Sequence, residues 1–203
     1  HLISVQPRLA LTDKARTDQF INDVRTIAPM IAGRSAVEWG IGEVVVSAFQ
    51  EAIFLTLVGV IICLVLYFRN VLTACLVLVP IAFTLILTFA MSSFLSLTLN
   101  MANILVVPLI IGLGVDSGVH VTHRFFKGGA LRHQRATRRA VLISGLTTLG
   151  TFLSLILSPH QGAASIGLLL TIAIAWLLLL SLFLLPSLLS FFSQRGLLPG
   201  RAV

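Results

Sequence analysis

Five stretches of this chain, residues 48–68, 71–93, 99–125, 140–158 and 165–189, are each apolar over about the 20 residues that a helix needs to cross a bilayer. Lipid offers a bare backbone no hydrogen-bond partner, so apolar runs of this length span as helices, whose backbone bonds close within the segment. The pattern predicts an all-α transmembrane bundle of five spans. Composition excludes a soluble domain, with 57% hydrophobic residues, 10% charged residues and a mean hydropathy of +1.04.

One acidic residue interrupts this apolar region. Asp116 is the only carboxylate after Glu51 and lies in the third span, within Leu109-Ile110-Ile111-Gly112-Leu113-Gly114-Val115-Asp116-Ser117-Gly118-Val119-His120. An ionisable group at bilayer depth is costly, and marks an ion pathway or a proton relay.

The net charge of +7 resides wholly in the membrane part. In residues 1–47, Arg8, Lys14, Arg16, Arg25 and Arg34 balance Asp13, Asp18, Asp23, Glu38 and Glu43. Downstream, Arg69 lies between spans one and two, and Arg124, Lys127, Arg132, Arg135, Arg138 and Arg139 lie between three and four. Arg195 and Arg201 follow span five, while the alternate loops near 93–98 and 158–162 carry no lysine or arginine. Basic loops mark the cytoplasmic side, so the expected topology has the N-terminal segment extracytoplasmic and the C-terminus inside. The charge is therefore read as topology, not as a nucleic-acid surface.

Three parts follow: the end of an extracytoplasmic porter-like domain (1–47), a five-span membrane domain (48–193) and a cytoplasmic tail (194–203). The first is expected to be a short α+β remnant. Residues 2–5 read as a strand, Thr12 as the cap of a helix over 13–28 with Phe20, Ile21, Val24 and Ile27 at helical spacing, and 36–39 as a second strand. Residues 43–50 then enter the first span without a break. The segment is too short for its own core, and no secretory leader precedes it, so an upstream span is expected. Cys63 and Cys75, in apolar surroundings, read as small core fillers.

At 100° per residue, Gly112, Asp116, His120 and His123 share one face of span three, with Pro108 a bend that can reorient Asn100 and Asn103. Span four carries a stripe of its own in Ser144, Thr147, Thr148, Thr151 and Ser158, with Gly145 and Gly150 as points of close backbone approach. Small and hydroxyl residues are ordinary packing groups in lipid; the same stripe can also hold water or receive a proton near Asp116. Residues 126–139 read as a short interfacial helix. Pro80 and Pro186 read as bends, and Trp176 as a packing residue.

These residues resemble the resistance-nodulation-division superfamily of proton-driven exporters, and within it the MMPL branch of hopanoid and mycobacterial lipid transporters. The resemblance is carried by Asn103-Ile104-Leu105 and Gly112-Leu113-Gly114-Val115-Asp116-Ser117-Gly118-Val119-His120. Leu146-Thr147-Thr148-Leu149-Gly150, Ser158-Pro159-His160-Gln161-Gly162 and Gly167-Leu168-Leu169-Leu170 support it. It implies a C-terminal fragment, spans eight to twelve of a twelve-span protein built from two homologous halves, in the bacterial inner membrane. It further implies proton-driven export of lipids or other hydrophobic molecules, with Asp116 in the tenth span and Thr147 or Thr148 in the eleventh as relay groups, and His120 extending the path. The partner carboxylate is then in the fourth span, on the missing N-terminal half. An oligomer or a periplasmic adaptor is a further possible partner. Gly112, Gly114, Gly118 and Pro108 take packing or hinge roles. Many relatives carry tyrosine after this aspartate, where Ser117 stands here.

Two other readings compete. A sterol- or lipid-sensing module shares this architecture without transporting anything, and Asp116, His120 and His123 have the ligand types of a zinc or iron site in a divalent-metal transporter. No second cluster of such ligands occurs in the other spans, so the expectation is no metal and no cofactor. Adjacent positions on one helix do not assemble a nucleophile, base and oxyanion hole from Ser117 and its neighbours, so no enzyme is expected.

Overall fold

The computed structural model of the chain describes residues 14–28, 34–95, 97, 101–127 and 131–198. Every element among them is helical. The chain divides into two compact units, His1–Ala48 and Phe49–Val203.

In the first unit, α1 (Lys14–Ile27) buries Ile21, while Ile27, expected on the same face, is its exposed last residue. The expected strand at 2–5 and the Thr12 cap lie outside the described residues. The strand expected over 36–39 is instead helix, part of α2 (Arg34–Phe68). Extending an existing helix adds one hydrogen bond per residue fixed, whereas an isolated short strand has no partner to pair with. The α+β remnant is thus corrected to helix over the described residues.

The second unit is a helical bundle. After α2 come α3 (Val71–Phe94), a 3-10 turn (Met101–Leu105) leading into α4 (Val106–Phe126), α5 (Leu131–Leu155), α6 (Gln161–Leu179), a π-helical turn (Leu180–Leu184) and α7 (Leu185–Gln194). Four segments are long and apolar enough to cross a membrane: Gly40–Phe68, Val71–Phe94, Asn103–Phe126 and Gly162–Gln194, the last combining α6, the π turn and α7. The expected fourth span falls on α5, whose apolar part, Arg139–Leu155, is shorter. Over the described residues the basic segment from Leu131 is already the first turns of α5, continuous with the apolar part, and not a separate interfacial helix.

Local chemistry explains the boundaries. Asn70 caps α3, its side chain accepting from the Thr73 amide at 3.1 Å, and Arg69 takes a left-handed φ of 50° at the turn before it. Pro108 stands in the first turn of α4, where its missing N–H leaves no intrahelical bond unmade. Pro186 follows the π turn, in which the Leu185 amide reaches back to the Leu180 carbonyl.

The core lies where α3, α4 and α6 meet, built from Ile81, Val106, Ile110, Ile111, Leu169, Leu170, Ala173 and Ile174. In lipid no hydrophobic gain draws such helices together, so closeness of packing has to do it. Gly118 is seated on Val77 and Gly114 on Ile81 and Leu177, so near that a Cβ on either glycine would force the neighbour to move. Between α5 and α6 the approach is at Gly167, where a Cβ would stand 2.9 Å from the Phe152 carbonyl oxygen and 3.0 Å from the Ile156 nitrogen. Gly145 meets the side chain of Leu178, while Gly150 has nothing within 4 Å, so the close approach expected at Gly150 belongs to Gly167.

Much of the exposed surface is apolar. On α2, Phe54, Leu55, Ile62 and Leu66 are exposed, while Leu64 is buried against Ala74 and Val77 of α3. Cys63 and Cys75 are free and exposed, which corrects their reading as core fillers: each lies on the outward side of its helix.

Candidate functional site

The π-free, regular course of α4 from Val106 to Phe126 separates two faces of the helix. Gly114 and Gly118 are buried against α3, and Thr122, one turn further on, is buried as well. Asp116 and His120, offset from them by two residues, point away from that seam, with side chains 72% and 67% exposed in this chain. The Asp116 Oδ1 and His120 Nε2 atoms are 3.3 Å apart, one helical turn along the same face.

Beside this pair a cavity of about 500 Å³ opens between α4, α5 and α6. Its α4 wall carries Asp116, Ser117, His120 and Arg124, and its α5 wall Ser144 and Thr148. Leu113, Val141, Ile174, Leu177 and Leu178 supply an apolar lining. The Thr148 hydroxyl donates to the Ser144 carbonyl at 2.9 Å, so towards the cavity it presents acceptor lone pairs. An oxygen of that kind can receive a hydrogen bond from a protonated carboxyl or from water.

The sequence-derived residues divide accordingly. Asp116, His120 and Thr148 share the cavity, whereas Thr147 is exposed, does not line it and donates to the Ile143 carbonyl. Thr151 donates to the Thr147 carbonyl at 3.0 Å. Gly112 is exposed and has nothing within 4 Å of the place a Cβ would take. His123 turns to a different partner: its Nδ1 lies 3.1 Å from the hydroxyl of Tyr67 on α2. Among the described residues no three His, Cys, Asp or Glu side chains come together as a metal-holding group, which leaves the Asp/His/His reading without a converged ligand set.

Three participants escaped the sequence reading. Tyr67 is the only tyrosine in the chain, and the signal available was its place at the end of span one, on the side where span three ends. Arg124, read only as a loop charge, lines the cavity. Ser165 donates to the Asn103 Oδ1 at 3.0 Å, tying the start of α6 to the turn before α4, with Asn103 only 3% exposed. Nothing in the sequence pairs residues 62 positions apart.

A helical bundle with segments long and apolar enough to cross a membrane, one of which carries Asp116 beside a cavity, is the architecture of a multi-pass integral membrane protein. The MMPL family profile matches residues 15–202, and the chain belongs to the MMPL family. It is 30% identical over 172 residues to the hopanoid transporter HpnN of Rhodopseudomonas palustris, covering 85% of this chain and 20% of that protein. The hopanoid transporter HpnN of Burkholderia multivorans is also 30% identical, over 178 residues, with the same two shares. A putative membrane protein of Methanocaldococcus jannaschii, MJ1562, is 30% identical over 152 residues, 70% of this chain and 39% of that protein. The chain therefore spans about a fifth of the length of the hopanoid transporters it matches and about two fifths of the archaeal protein.

Proposed function

We propose that this chain is the C-terminal part of a proton-motive-force-driven exporter of lipids or other hydrophobic molecules in a bacterial inner membrane, and that Asp116 is its proton-carrying group. The observation that carries the reading is the joint placement of Asp116, His120 and Thr148 on one cavity of a chain that belongs to the MMPL family. The two hopanoid transporters among its relatives support a hydrophobic substrate.

In this reading α5 is the fourth of five spans. The 17 residues of its apolar part, Arg139–Leu155, make about 26 Å of helix, a few ångströms short of a hydrocarbon core of about 30 Å, a mismatch that local thinning and the basic residues at its start accommodate. The N-terminal segment is then outside and the C-terminus inside, as the basic loops imply. Asp116 faces a helix from the other half of the longer protein, which supplies the partner carboxylate. Proton uptake by Asp116 removes a charge from that interface. His120 relays towards the basic end, and Thr148 accepts a hydrogen bond from the protonated carboxyl. One charge crossing the membrane potential supplies about 2.3 kcal/mol per 100 mV, enough to bias a rocking motion between halves.

The test is Asp116→Asn in the full-length protein, with insertion and monodispersity checked by size-exclusion chromatography. The expected result is loss of proton-coupled export with retained folding and lipid binding. Export at the wild-type rate would overturn the relay, and lipid binding without any measurable transport in the wild type would favour a sensing module instead.

A further inference from the structure

We infer that Tyr67 is the positioning residue for His123, and that the pair carries the proton between His120 and the basic end of the bundle; this deepens the relay reading and rests on it. The observation is one contact between two helices that otherwise meet mainly through apolar side chains. The Tyr67 hydroxyl and the His123 Nδ1 are 3.1 Å apart, with the rings tilted at 49° and their centroids separated by 6.1 Å. Tyr67 is itself held edge-on by Phe68, at 4.9 Å between ring centroids. Below it, Leu64 of α2 is buried with Ala74 and Val77, and Val115 and Val119 of α4 pack against that cluster. These side chains bring α2 beside α4 at this end, and the hydrogen bond, made at an exposed position, orients the imidazole.

The position on α4 gives the pair its use. Asp116 and His120 are already joined at 3.3 Å, and His123 is one further step, three residues on, along the same face. Among the described residues, the charged and titratable groups towards this end include Asp116, His120 and Arg124 on α4, Lys127 at its C-cap, Arg139 on α5, Arg195 after α7, and Tyr67 on α2 with Arg69 just after it. The α3 residues in the adjoining cluster, Ala74 and Val77, carry no charge. A proton passing from the mid-span acid to the basic end therefore meets His123 after His120.

Tyrosine suits this place because its hydroxyl both donates and accepts. With His123 protonated on Nδ1, the ring donates to the phenol oxygen, and a proton arriving at Nε2 displaces the Nδ1 proton onto that oxygen as the phenol releases its own to water. One proton enters, one leaves, and the same hydrogen bond persists with its direction reversed. Phenylalanine keeps the packing and loses this exchange.

The experiment uses the full-length protein in proteoliposomes. Proton flux is followed with an internal pH indicator across a series of pH values, and the imidazole of His123 is followed by nitrogen NMR and assigned by its loss in His123→Gln. For Tyr67→Phe the expected results are loss of the hydrogen-bonded Nδ1 signal, a flux reduced by about 2- to 10-fold, the range of one net hydrogen bond, and an altered pH profile. The double variant with His123→Gln should be no worse than the poorer single one. An unchanged His123 signal, an unchanged flux profile, or additive losses would each overturn the inference. If Asp116→Asn leaves flux intact, the relay reading itself fails; if Asp116→Asn abolishes flux while Tyr67→Phe is silent, only the assignment of Tyr67 fails.

Discussion

Replacing Gly167 by alanine puts a methyl group into the tightest backbone contact between α5 and α6. The added Cβ would lie 2.9 Å from both the Phe152 carbonyl oxygen and the Leu155 Cβ, and 3.0 Å from the Ile156 nitrogen, where ordinary contact begins at 3.4 Å. Each neighbour has to retreat by roughly half an ångström. Two of the three are backbone atoms of the facing helix and its terminal turn, where the Ile156 amide is bonded to the Leu153 carbonyl at 3.2 Å. They cannot rotate aside as a side chain can, so α5 must move. Overpacking of this kind costs about 1–3 kcal/mol, and the better helix propensity of alanine offsets about 0.8–1 kcal/mol. A net destabilisation near 1 kcal/mol is expected. The internal control is Gly150→Ala on the opposing helix, which has nothing within 4 Å and gains only the propensity term. The two variants should therefore differ by about 1–3 kcal/mol, measured as unfolding free energy of the full-length protein in mixed micelles. Equal stability of the two would refute the packing argument, because propensity alone treats them alike.

Asn103→Ala should cost about 0.5–1.5 kcal/mol in the same assay, the range of one net hydrogen bond, since it removes the acceptor of the half-buried Ser165 hydroxyl; unchanged stability would contradict the assigned contact. Thr148→Val should reduce proton-coupled export in the full-length protein by about 2- to 10-fold, while Thr147→Val, outside the cavity, should leave it near wild type; equal effects would remove the distinction between the two threonines.

The span pattern was readable in part because the bilayer fixes both the length and the polarity of what crosses it: four of the five apolar runs lie on segments of spanning length, the first of which starts earlier, at Gly40, while the run over 140–158 lies on the shorter apolar part of α5. The polar face of α4 was readable for a similar reason: spacings of four along a straight helix place Asp116 and His120 together whatever surrounds them. What sequence did not supply was which helix meets which. Gly145 and Gly150 look alike in a hydropathy profile, yet Gly145 meets the side chain of Leu178, Gly150 meets nothing, and the close backbone approach lies at Gly167 on the partner helix. The strand expected over 36–39 failed because local propensity was read without the helix already running below it. Tyr67 and Ser165 became visible only when a second helix brought an imidazole and an amide within reach.

The two faces of α4 constrain one another. Gly114 and Gly118 repeat every four residues, as do Asp116 and His120, and the two series are offset by two residues, about 200° around the helix. Whatever seals the glycine face against α3 must turn the acid away from it. In lipid the glycine seam is held by closeness rather than by exclusion of water, and Val77 and Ile81 occupy the space that any larger residue would need. The helix thus has little freedom to rotate and draw Asp116 into the bundle, and a carboxylate on its other face is costly to leave in hydrocarbon. The packing that makes α4 rigid is consequently what holds its carboxyl group at the edge of the cavity. There, in the proposed relay, proton binding would change how the helix meets a neighbour without changing how it meets α3.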